Sequence, residues 1–357
     1  MFSALDKLKI EIYGASHAEK ISLFVEGLPK GKKINIQELQ EYVDRRKAQK
    51  AAFSTARLEG DVIHFASGIT EDGTLTGEKL EAYVLNTSQH SNDYNNLVNT
   101  PRPGHADYVA KVKYKGEMDM RGGGIFSGRM TLTICILGGI ARQLLREYGV
   151  DVEAYISSIA GIKSTSYKDK DLTIEEINKA NPLFRVLDEE KGAQMMEKIS
   201  EAKSNMDSVG GTVDCMAFNV PVGLGGPLFE GFEGKLAYAM FAVPAVKGVE
   251  FGAGFDISNM KGSTANDGFY YDDNKVVKTY TNNNGGINGG ITNGMPITLR
   301  VAFKPTPSIA QKQKTINMET KENVELEIKG RHDACIVPRA VVCVESVVEI
   351  ALLDSLL

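Results

Sequence analysis

Apolar residues recur at helical spacing in four segments of the chain, residues 36–46, 131–148, 188–206 and 344–356. The second segment is apolar nearly all round until Arg142, so it predicts a helix buried in the core. The third segment is charged along one side and predicts a surface helix. The fourth is also amphipathic, which predicts a helix with one polar face.

Three segments rich in β-forming residues, residues 21–25, 211–220 and 295–303, predict strands. Helices and strands together predict an α/β (α+β) protein. Residues 21–46 and 211–243 each run from a strand through a loop with glycine and proline into a helix, which indicates an internal duplication. No linker or block of like charge interrupts the chain, so we predict a single domain over residues 1–357.

The composition argues against several classes of protein. The formal net charge is −5, whereas proteins that bind nucleic-acid phosphates usually carry a basic surplus. The longest apolar stretch, residues 131–141, is too short and too rich in glycine to span a bilayer. There is no signal-peptide pattern, and the four cysteines form no Cys-x-x-Cys pair. We therefore predict a cytoplasmic protein with reduced thiols and no bound metal, whose partners include neither nucleic acids nor membranes.

A glycine-rich segment directly before the predicted core helix is a candidate anion site. Residues 122–124 are all glycine, and Ser127 and Arg129 follow them. A loop that enters a helix offers free backbone N–H groups and the positive end of the helix dipole. Ser127 can cap the helix, and Arg129 can bind a phosphate through two hydrogen bonds. A tight turn that packs a helix on a sheet fits the same pattern, so the loop alone leaves both interpretations open.

Histidines and arginines lie in other loop-like stretches that contain glycine or proline. His17, His105 and His332 occupy such stretches, where functional side chains are often displayed, although a structural hydrogen bond is the simpler role for any one of them. Several arginines lie beside glycine or proline, and the planar guanidinium suits carboxylates and phosphates. The Asn- and Gly-rich stretch 282–294 leaves room for a flat ring system, or forms a loop without such a role.

Taken in order, these segments resemble the chorismate synthase family over the whole chain. The matching segments are Gly-x-Ser-His at 14–17, Asp-Arg-Arg at 44–46, Ser-Thr-Ala-Arg-x-Glu-Gly-Asp at 54–61, Arg-Pro-Gly-His-Ala-Asp-Tyr at 102–108, Arg-Gly-Gly-Gly-x-x-Ser-x-Arg at 121–129, Ala-Val-Lys-Gly-Val-Glu-Phe-Gly at 245–252, Asn-x-Gly-Gly-Ile-x-Gly-Gly-Ile-x-Asn-Gly at 283–294, Lys-Pro-Thr-x-Ser at 304–308 and Gly-Arg-His-Asp at 330–333. No single motif among them is specific, but their shared order is.

The resemblance implies a lyase that eliminates phosphate from 5-enolpyruvylshikimate-3-phosphate to give chorismate, the last step of the shikimate pathway. It also implies reduced FMN as a cofactor with no net redox change. NADPH or another outside electron source then reduces the flavin. The implied assembly is a homotetramer of subunits built as a β-α-β sandwich, which agrees with the suspected duplication.

By position, the resemblance assigns catalysis to His17 at the reduced flavin, His105 at the leaving phosphate and Asp333 at the flavin N5 proton. It assigns substrate binding to Arg45, Arg46, Ser127, Arg129 and Arg339, and Arg46 is also the nicotinamide contact in some members. It assigns cofactor binding to Ile125, Phe126, Ser127, Ala245, Gly289, Lys304, Pro305, Thr306, Pro307, Ser308 and Arg331.

Three positions depart from the family pattern. Ala15 stands where Glu is common, Ala48 where Pro is common, and Ile125 where a related subset carries His. Loss of one charge-assisted hydrogen bond to the flavin phosphate predicts cofactor binding weaker by about 1.5–3 kcal/mol. The departures motivate one alternative to the lyase, a divergent flavin- or anion-binding paralogue without turnover. A second alternative, on different grounds, is a flavin oxidoreductase that shares the flavin site but transfers hydride.

Overall fold

A computed structural model describes residues 5–47, 60–86, 97–328 and 333–357. The strands in these ranges are β1 (Lys9–Tyr13), β2 (Lys20–Glu26), β3 (His64–Ser67), β4 (Leu80–Leu85), β5 (Asp151–Ile159), β6 (Ile162–Lys163), β7 (Gly211–Phe218), β8 (Val246–Phe251), β9 (Phe269–Tyr271), β10 (Val277–Thr279), β11 (Ile287–Asn288), β12 (Ile291–Thr292), β13 (Ile297–Phe303), β14 (Gln313–Asn317) and β15 (Glu322–Leu326). The α-helices are α1 (Ile36–Asp44), α2 (Asp107–Lys113), α3 (Thr131–Leu145), α4 (Ile174–Asn178), α5 (Glu189–Ser204), α6 (Phe232–Met240), α7 (Gly262–Ala265) and α8 (Val337–Leu356).

Two antiparallel sheets form the outer layers of the fold. The first sheet has the strand order β1-β2-β4-β3, and the second has the order β6-β5-β7-β13-β8. In β4, alternate residues Leu80, Ala82 and Val84 are buried, so one face of the first sheet is covered. Register is fixed across both sheets, for example by the pairs Ile21–Val84 and Cys215–Leu299.

Helices α3 and α8 lie between the sheets, with α1 packed against α3 and α6 against α8. One cluster of buried apolar side chains includes residues of both sheets and of all four helices. This architecture confirms the predicted α/β class and the β-α-β sandwich. Strand β2 lies in the first sheet and is followed in the chain by α1, whereas β7 lies in the second sheet and is followed by α6. One such strand–helix pair for each sheet is expected for a duplication. The single domain over residues 1–357 stays a prediction.

The structure also confirms most of the predicted elements. Helices α1, α3 and α5 correspond to the segments at 36–46, 131–148 and 188–206, and α3 is buried along nearly its whole length. Strands β2, β7 and β13 correspond to the three predicted strands. No helix among the described residues is long and apolar enough to cross a membrane.

The prediction for the C-terminal helix was wrong in two respects. Helix α8 begins at Val337 rather than at 344, with Pro338 in its first turn, where a missing N–H costs nothing. The polar side of α8 also does not face solvent, because Glu345, Ser346 and Glu349 are completely buried. These polar side chains resemble a solvent-facing stripe in the sequence. In the structure they face other polar groups of the core.

Three arginines and three glutamates form an ion-pair network around the middle of α8. Glu345 pairs with Arg45 at 2.6 Å and with Arg185 at 3.1 Å, and Glu349 pairs with Arg142 at 3.1 Å. Both Arg142 and Arg185 also pair with Glu153 at 2.6 Å. Removing one partner of such a network leaves an uncompensated buried charge, which typically costs about 3–5 kcal/mol.

The end of α8 holds the beginning of the described chain. The buried carboxylate of Asp354 accepts hydrogen bonds from the backbone N–H groups of Asp6, Lys7 and Leu8, at 2.9, 2.8 and 2.8 Å. A carboxylate that accepts several backbone donors is well satisfied in the interior. The segment that leads into β1 is therefore fixed by the last turn of α8.

We predict that Glu349 makes the protein less stable as the pH rises. Burial and the neighbouring Glu345 raise the pKa of Glu349 to about 7 although Arg142 opposes them, whereas 4.5 is its ordinary value. A folded carboxyl with a raised pKa loses stability between its unfolded and folded pKa, so the loss falls between about pH 4.5 and 7. The Glu349→Gln variant lacks this loss. The free energy of unfolding of this variant minus that of wild type should therefore be about 2–3 kcal/mol higher at pH 8 than at pH 5.

The measurement is urea denaturation at both pH values. Glu201→Gln on the exposed face of α5 is the control, because its partner Lys198 is also exposed and the difference from wild type should not change with pH. A difference for Glu349→Gln that stays constant between pH 5 and 8 contradicts the prediction.

Candidate active site

A cavity of about 590 Å³ opens where loops from both halves of the chain meet the first turns of α3 and α8. Its walls include the end of α1, the loop at 102–106, the glycine-rich loop before α3, residues 241–245, residues 303–308 and the segment from Asp333 into α8. The volume lies within the range of about 300–1,000 Å³ that is usual for ligand sites.

The cavity wall is strongly cationic, although the chain as a whole has a net charge of −5. Among the described residues, six cationic side chains and two acidic side chains line it: Arg46, Lys47, Arg102, Arg129, Lys304 and Arg339, and Asp61 and Asp333. A local surplus of positive charge between low-dielectric walls concentrates anions. The cavity is therefore suited to a ligand with several negative charges.

Asp61 bridges two of these arginines. Its carboxylate lies 2.8 Å from Nη2 of Arg46 and 2.6 Å from Nη1 of Arg129, and all three residues are buried. Burial alone raises the pKa of Asp61, but the two guanidinium groups outweigh burial and lower it overall. Arg129 also donates from Nε to Asn86 at 3.0 Å, and Asn86 donates to the carbonyl of Ala18 at 2.6 Å. The loop that contains His17 is thereby tied to the arginine pair.

The glycine-rich loop has a backbone that only glycine adopts readily. Gly122 and Gly123 have φ values of 61° and 93°, in the left-handed region. Ser127 then caps the short 3-10 turn before α3, since its Oγ accepts a hydrogen bond from the N–H of Arg129 at 3.2 Å. Ser127 thus caps this turn and not α3, whose own N-cap is Met130 without a side-chain hydrogen bond. The buried imidazole of His17 packs directly against Gly122, where a Cβ would lie 2.4 Å from its Cε1 atom.

His105 is held by two charged neighbours. Its Nδ1 lies 2.7 Å from Oδ1 of Asp107, and Nη2 of Arg102 lies 3.1 Å from the same Nδ1. Arg102 binds both oxygens of Asp107, at 2.7 and 2.8 Å, and its Nη1 donates to Oγ of Ser308 at 3.2 Å. One arginine thus connects His105 with the wall formed by residues 304–308.

Asp333 enters the cavity from the segment that precedes α8. Its Oδ2 pairs with Nη1 of Arg339 at 2.6 Å, and Nε of Arg339 donates to the carbonyl of Arg46 at 3.0 Å. Three buried polar atoms of cavity residues have no hydrogen-bond partner among the described residues: Nε of Arg46, Oγ1 of Thr306 and Oδ1 of Asp333. Buried polar groups are nearly always hydrogen-bonded, so these three indicate a polar ligand.

Another part of the cavity wall contains five of the predicted cofactor-binding residues: Ala245, Lys304, Thr306, Pro307 and Ser308. Ala245 has a φ of 73°, and its carbonyl accepts from the N–H of Lys304 at 3.0 Å. The ammonium group of Lys304 donates to the carbonyl of Gly104 at 2.9 Å, and burial together with the nearby Lys247 lowers its pKa. Burial and Lys247 both disfavour the charged ammonium group, which a bound anion would stabilise.

The structure brings together most of the predicted site residues. The cavity wall includes His105, Asp333, Arg46, Ser127, Arg129, Arg339, Ile125, Phe126, Ala245, Lys304, Thr306, Pro307 and Ser308. His17 lies behind Gly122 at its margin, and Pro305 lies between two lining residues. Arg331 and Ala48 lie outside the described residues.

Two predicted residues are not brought to the cavity. The guanidinium of Arg45 points into the core, where it pairs with Glu345 and stacks 5.3 Å from the ring centre of Tyr42. Consecutive residues at the end of a helix face different directions, so only Arg46 reaches the cavity. Gly289 forms the turn between β11 and β12, away from the lining residues. We leave both out of the site proposed below.

Sequence reasoning noted Arg102 as an arginine beside proline, but it did not assign the residues that orient the predicted ones. Asp61, Asn86, Arg102 and Asp107 hold the arginine pair and His105. Asp61, Arg102 and Asp107 lie within matched segments, so the available signal was their position beside the predicted residues. Their roles require the distances, because short motifs do not indicate which side chains pair.

We predict that Gly122→Ala lowers the free energy of unfolding by about 1–3 kcal/mol, from the left-handed backbone and the contact with His17. Its Cβ would also lie 2.6 Å from Oγ of Ser16. Gly128→Ala is the matched control, because nothing lies within 4 Å of its added Cβ and the change should be within about 0.5 kcal/mol. Urea denaturation measures both. Equal losses in the two variants would show that this close packing is wrong.

Known proteins resemble this chain in sequence and in fold. The sequence profile of the family described as chorismate synthase matches residues 8–357. The chorismate synthase of Thermococcus gammatolerans is 45% identical over 350 residues, which cover 98% of this chain and 96% of the relative. That of Methanocaldococcus jannaschii is 43% identical over 363 residues, with 99% and 95% covered. A crystal structure of chorismate synthase superposes with a TM-score of 0.75 at 25% identity, covering 99% of this chain and 92% of the other. The chain belongs to the chorismate synthase family.

Proposed function

We propose that the cavity described above is where this lyase of the shikimate pathway eliminates phosphate from 5-enolpyruvylshikimate-3-phosphate. The observation that carries the proposal is the surplus of cationic side chains, six against two, on the wall of a single cavity. The substrate bears a phosphate and two carboxylates, which need several guanidinium partners. Family membership favours the lyase over a paralogue without turnover.

Arg46, Arg129 and Arg339 are the proposed substrate-binding arginines. Asp61 offsets part of the charge of the first two, and Asp333 offsets that of the third. These carboxylates also fix the guanidinium planes before a ligand arrives, which lowers the entropy lost on binding. Ser127, at the positive end of the α3 dipole, adds a hydroxyl and nearby backbone N–H groups.

Reduced FMN is the proposed cofactor, and the residues present are suited to it. The unpartnered hydroxyl of Thr306 can donate a hydrogen bond to a polar ring system or accept one from it, and the unpartnered Oδ1 of Asp333 can accept one. The residues that would hold it are Ile125, Phe126, Ser127, Ala245, Lys304, Pro305, Thr306, Pro307, Ser308 and Arg331. When bound, reduced FMN supplies electron density that lets phosphate leave and regains it as the C6 hydrogen departs. Ile125 offers no charge to the flavin phosphate, so we expect weak cofactor binding.

His105, His17 and Asp333 are the proposed catalytic residues. Nε2 of His105 faces the glycine-rich loop, 3.3 Å from where a Cβ of Gly123 would lie. From there it can donate a proton to the leaving phosphate. His17 packs beside Ser16 and Gly122, where it can stabilise negative charge on the bound cofactor. Oδ1 of Asp333 is the proposed proton acceptor, since Arg339 engages only Oδ2.

We predict that the purified protein, with chemically reduced FMN and the substrate under anaerobic conditions, releases chorismate and phosphate in equal amounts. His105→Ala and Asp333→Asn should each lower kcat by about 10²–10⁴, because each removes one proton-transferring group. Absorbance of chorismate and a phosphate assay follow the two products together.

His64→Ala and Asp256→Asn are the matched controls, because both side chains are exposed and lie outside the cavity wall. Both should keep the wild-type rate. Flavin binding without product would support the paralogue, and product formed with stoichiometric consumption of NADPH would support the oxidoreductase. NADPH that accelerates turnover only by reducing the flavin fits the lyase.

The proposed assembly is a homotetramer in the cytoplasm. Leu228, Phe229 and Phe255 are almost completely exposed, which is unusual for large apolar side chains unless a partner covers them. The four cysteines are all free thiols, as expected in a reducing compartment. A second copy of the chain is the simplest partner, because most soluble oligomers are symmetric homo-oligomers.

We predict that light scattering coupled to gel filtration shows four chains of 38.8 kDa, about 155 kDa in total. The double variant Phe229→Asp, Phe255→Asp should form smaller species, because burying two new carboxylates in an apolar contact is unfavourable. Lys198→Asp, on the exposed face of α5, is the control and should keep the wild-type mass. A double variant of unchanged mass would place the contact elsewhere.

A further inference from the structure

We propose that Asp107 is a positioning residue that fixes one proton of His105 on Nδ1, so that Nε2 is the nitrogen available to the substrate. The inference rests on the proposed role of His105 at the leaving phosphate. It adds a residue that nothing in the comparison of sequences assigns. Its basis is the arrangement of Asp107, Arg102 and Gly123 around the imidazole.

Two neighbours make opposite demands on Nδ1. Asp107 requires a proton there, because a carboxylate can only accept, whereas Arg102 requires a lone pair, because a guanidinium can only donate. The contact to Asp107 is shorter, 2.7 Å against 3.1 Å. Nη2 of Arg102 already donates to Oδ1 of Asp107 at 2.8 Å, so it does not depend on Nδ1 of His105 for a hydrogen bond. A bare Nδ1 facing a carboxylate at 2.7 Å would set two lone pairs against each other. The proton therefore lies on Nδ1.

Arg102 has a second effect, because it keeps Asp107 ionised. Burial raises the pKa of Asp107, but hydrogen bonds from Arg102 and His105 outweigh burial and hold it well below its usual range. Asp107 also accepts from the backbone N–H of Arg102 at 3.0 Å. The carboxylate is thus satisfied on both oxygens and does not take the Nδ1 proton from His105. It acts on the ring only as an anion.

The other nitrogen of the ring faces the glycine-rich loop. Nε2 lies 3.3 Å from the place that a Cβ of Gly123 would occupy, so the absence of a side chain there keeps the space in front of Nε2 clear. When His105 is an imidazolium, the N–H bond at Nε2 breaks and an O–H bond forms on the departing phosphate. His105 then becomes neutral with its remaining proton on Nδ1. Asp107 stabilises the cation before that transfer and the correct tautomer after it.

The first test reads the tautomer directly and does not depend on turnover. Solid-state ¹⁵N NMR of histidine-labelled protein, at a pH where the imidazole is neutral, distinguishes protonated from bare ring nitrogens. The His105 signal is assigned by its loss in His105→Gln. We expect a proton on Nδ1 in wild type and a population with the proton on Nε2 in Asp107→Asn, where Arg102 no longer competes with a carboxylate. A proton on Nε2 in wild type, or an identical tautomer in Asp107→Asn, would overturn the proposal.

The second test separates positioning from binding. Asp107→Asn should lower kcat by at least about tenfold, while substrate affinity, measured by calorimetry with oxidised FMN, changes less than threefold. Asp256→Asn, an exposed aspartate that pairs with Lys168, removes the same charge far from the ring and should keep the wild-type kcat. An unchanged kcat in Asp107→Asn would overturn the positioning role. If wild type itself makes no chorismate, the lyase proposal fails, and the tautomer measurement still decides the role of Asp107.

Discussion

Two guanidinium groups buried around one point repel each other, and the carboxylate of Asp61 between Arg46 and Arg129 offsets that repulsion. The pair retains one net positive charge, because a single anion faces two cations. That residual charge is what an anionic ligand can neutralise. The end of α1, the start of α3 and, through Asn86, the loop of His17 all meet at this ion pair. The geometry of the cavity thus depends on a residue that is not itself a candidate for chemistry.

Helix α8 connects this site with the rest of the core. Its first turn contributes Arg339 to the cavity, its middle contributes Glu345 and Glu349 to the ion-pair network, and its last turn contributes Asp354. Arg45 and Arg46 are adjacent in the chain, but Arg45 pairs with Glu345 in the ion-pair network and Arg46 pairs with Asp61 at the cavity. The position of Arg46 is therefore fixed from two sides. A rigid framework of this kind suits an active site that must keep charged groups in register.

The sequence was sufficient where local pattern decides structure. The core helix α3 and the surface helix α5 follow from hydrophobic periodicity, and the strands β2, β7 and β13 follow from their content of β-forming residues. The pattern misled for α8, because carboxylates paired with distant arginines cannot be distinguished from carboxylates in water. For the same reason Arg45 and Arg46 looked equivalent, and Gly289 looked like part of the site. Ion pairs between residues 100 to 300 positions apart are set by the tertiary fold, and a single sequence does not contain them.

The central position of α8 also bears on how the chain acquires its structure. Every element against which α8 packs precedes it in the sequence, and its last turn binds residues 6–8, whose backbone lies about 350 positions upstream. Contacts of such large sequence separation form late, because the intervening chain must first be brought together at a cost in entropy. Until α8 docks, strands β5 and β7 of the second sheet expose the apolar surface against which α8 packs. During synthesis the face of β5 and β7 that α8 covers therefore stays exposed until the ribosome has released α8, and this interval is when the nascent chain most needs protection from aggregation.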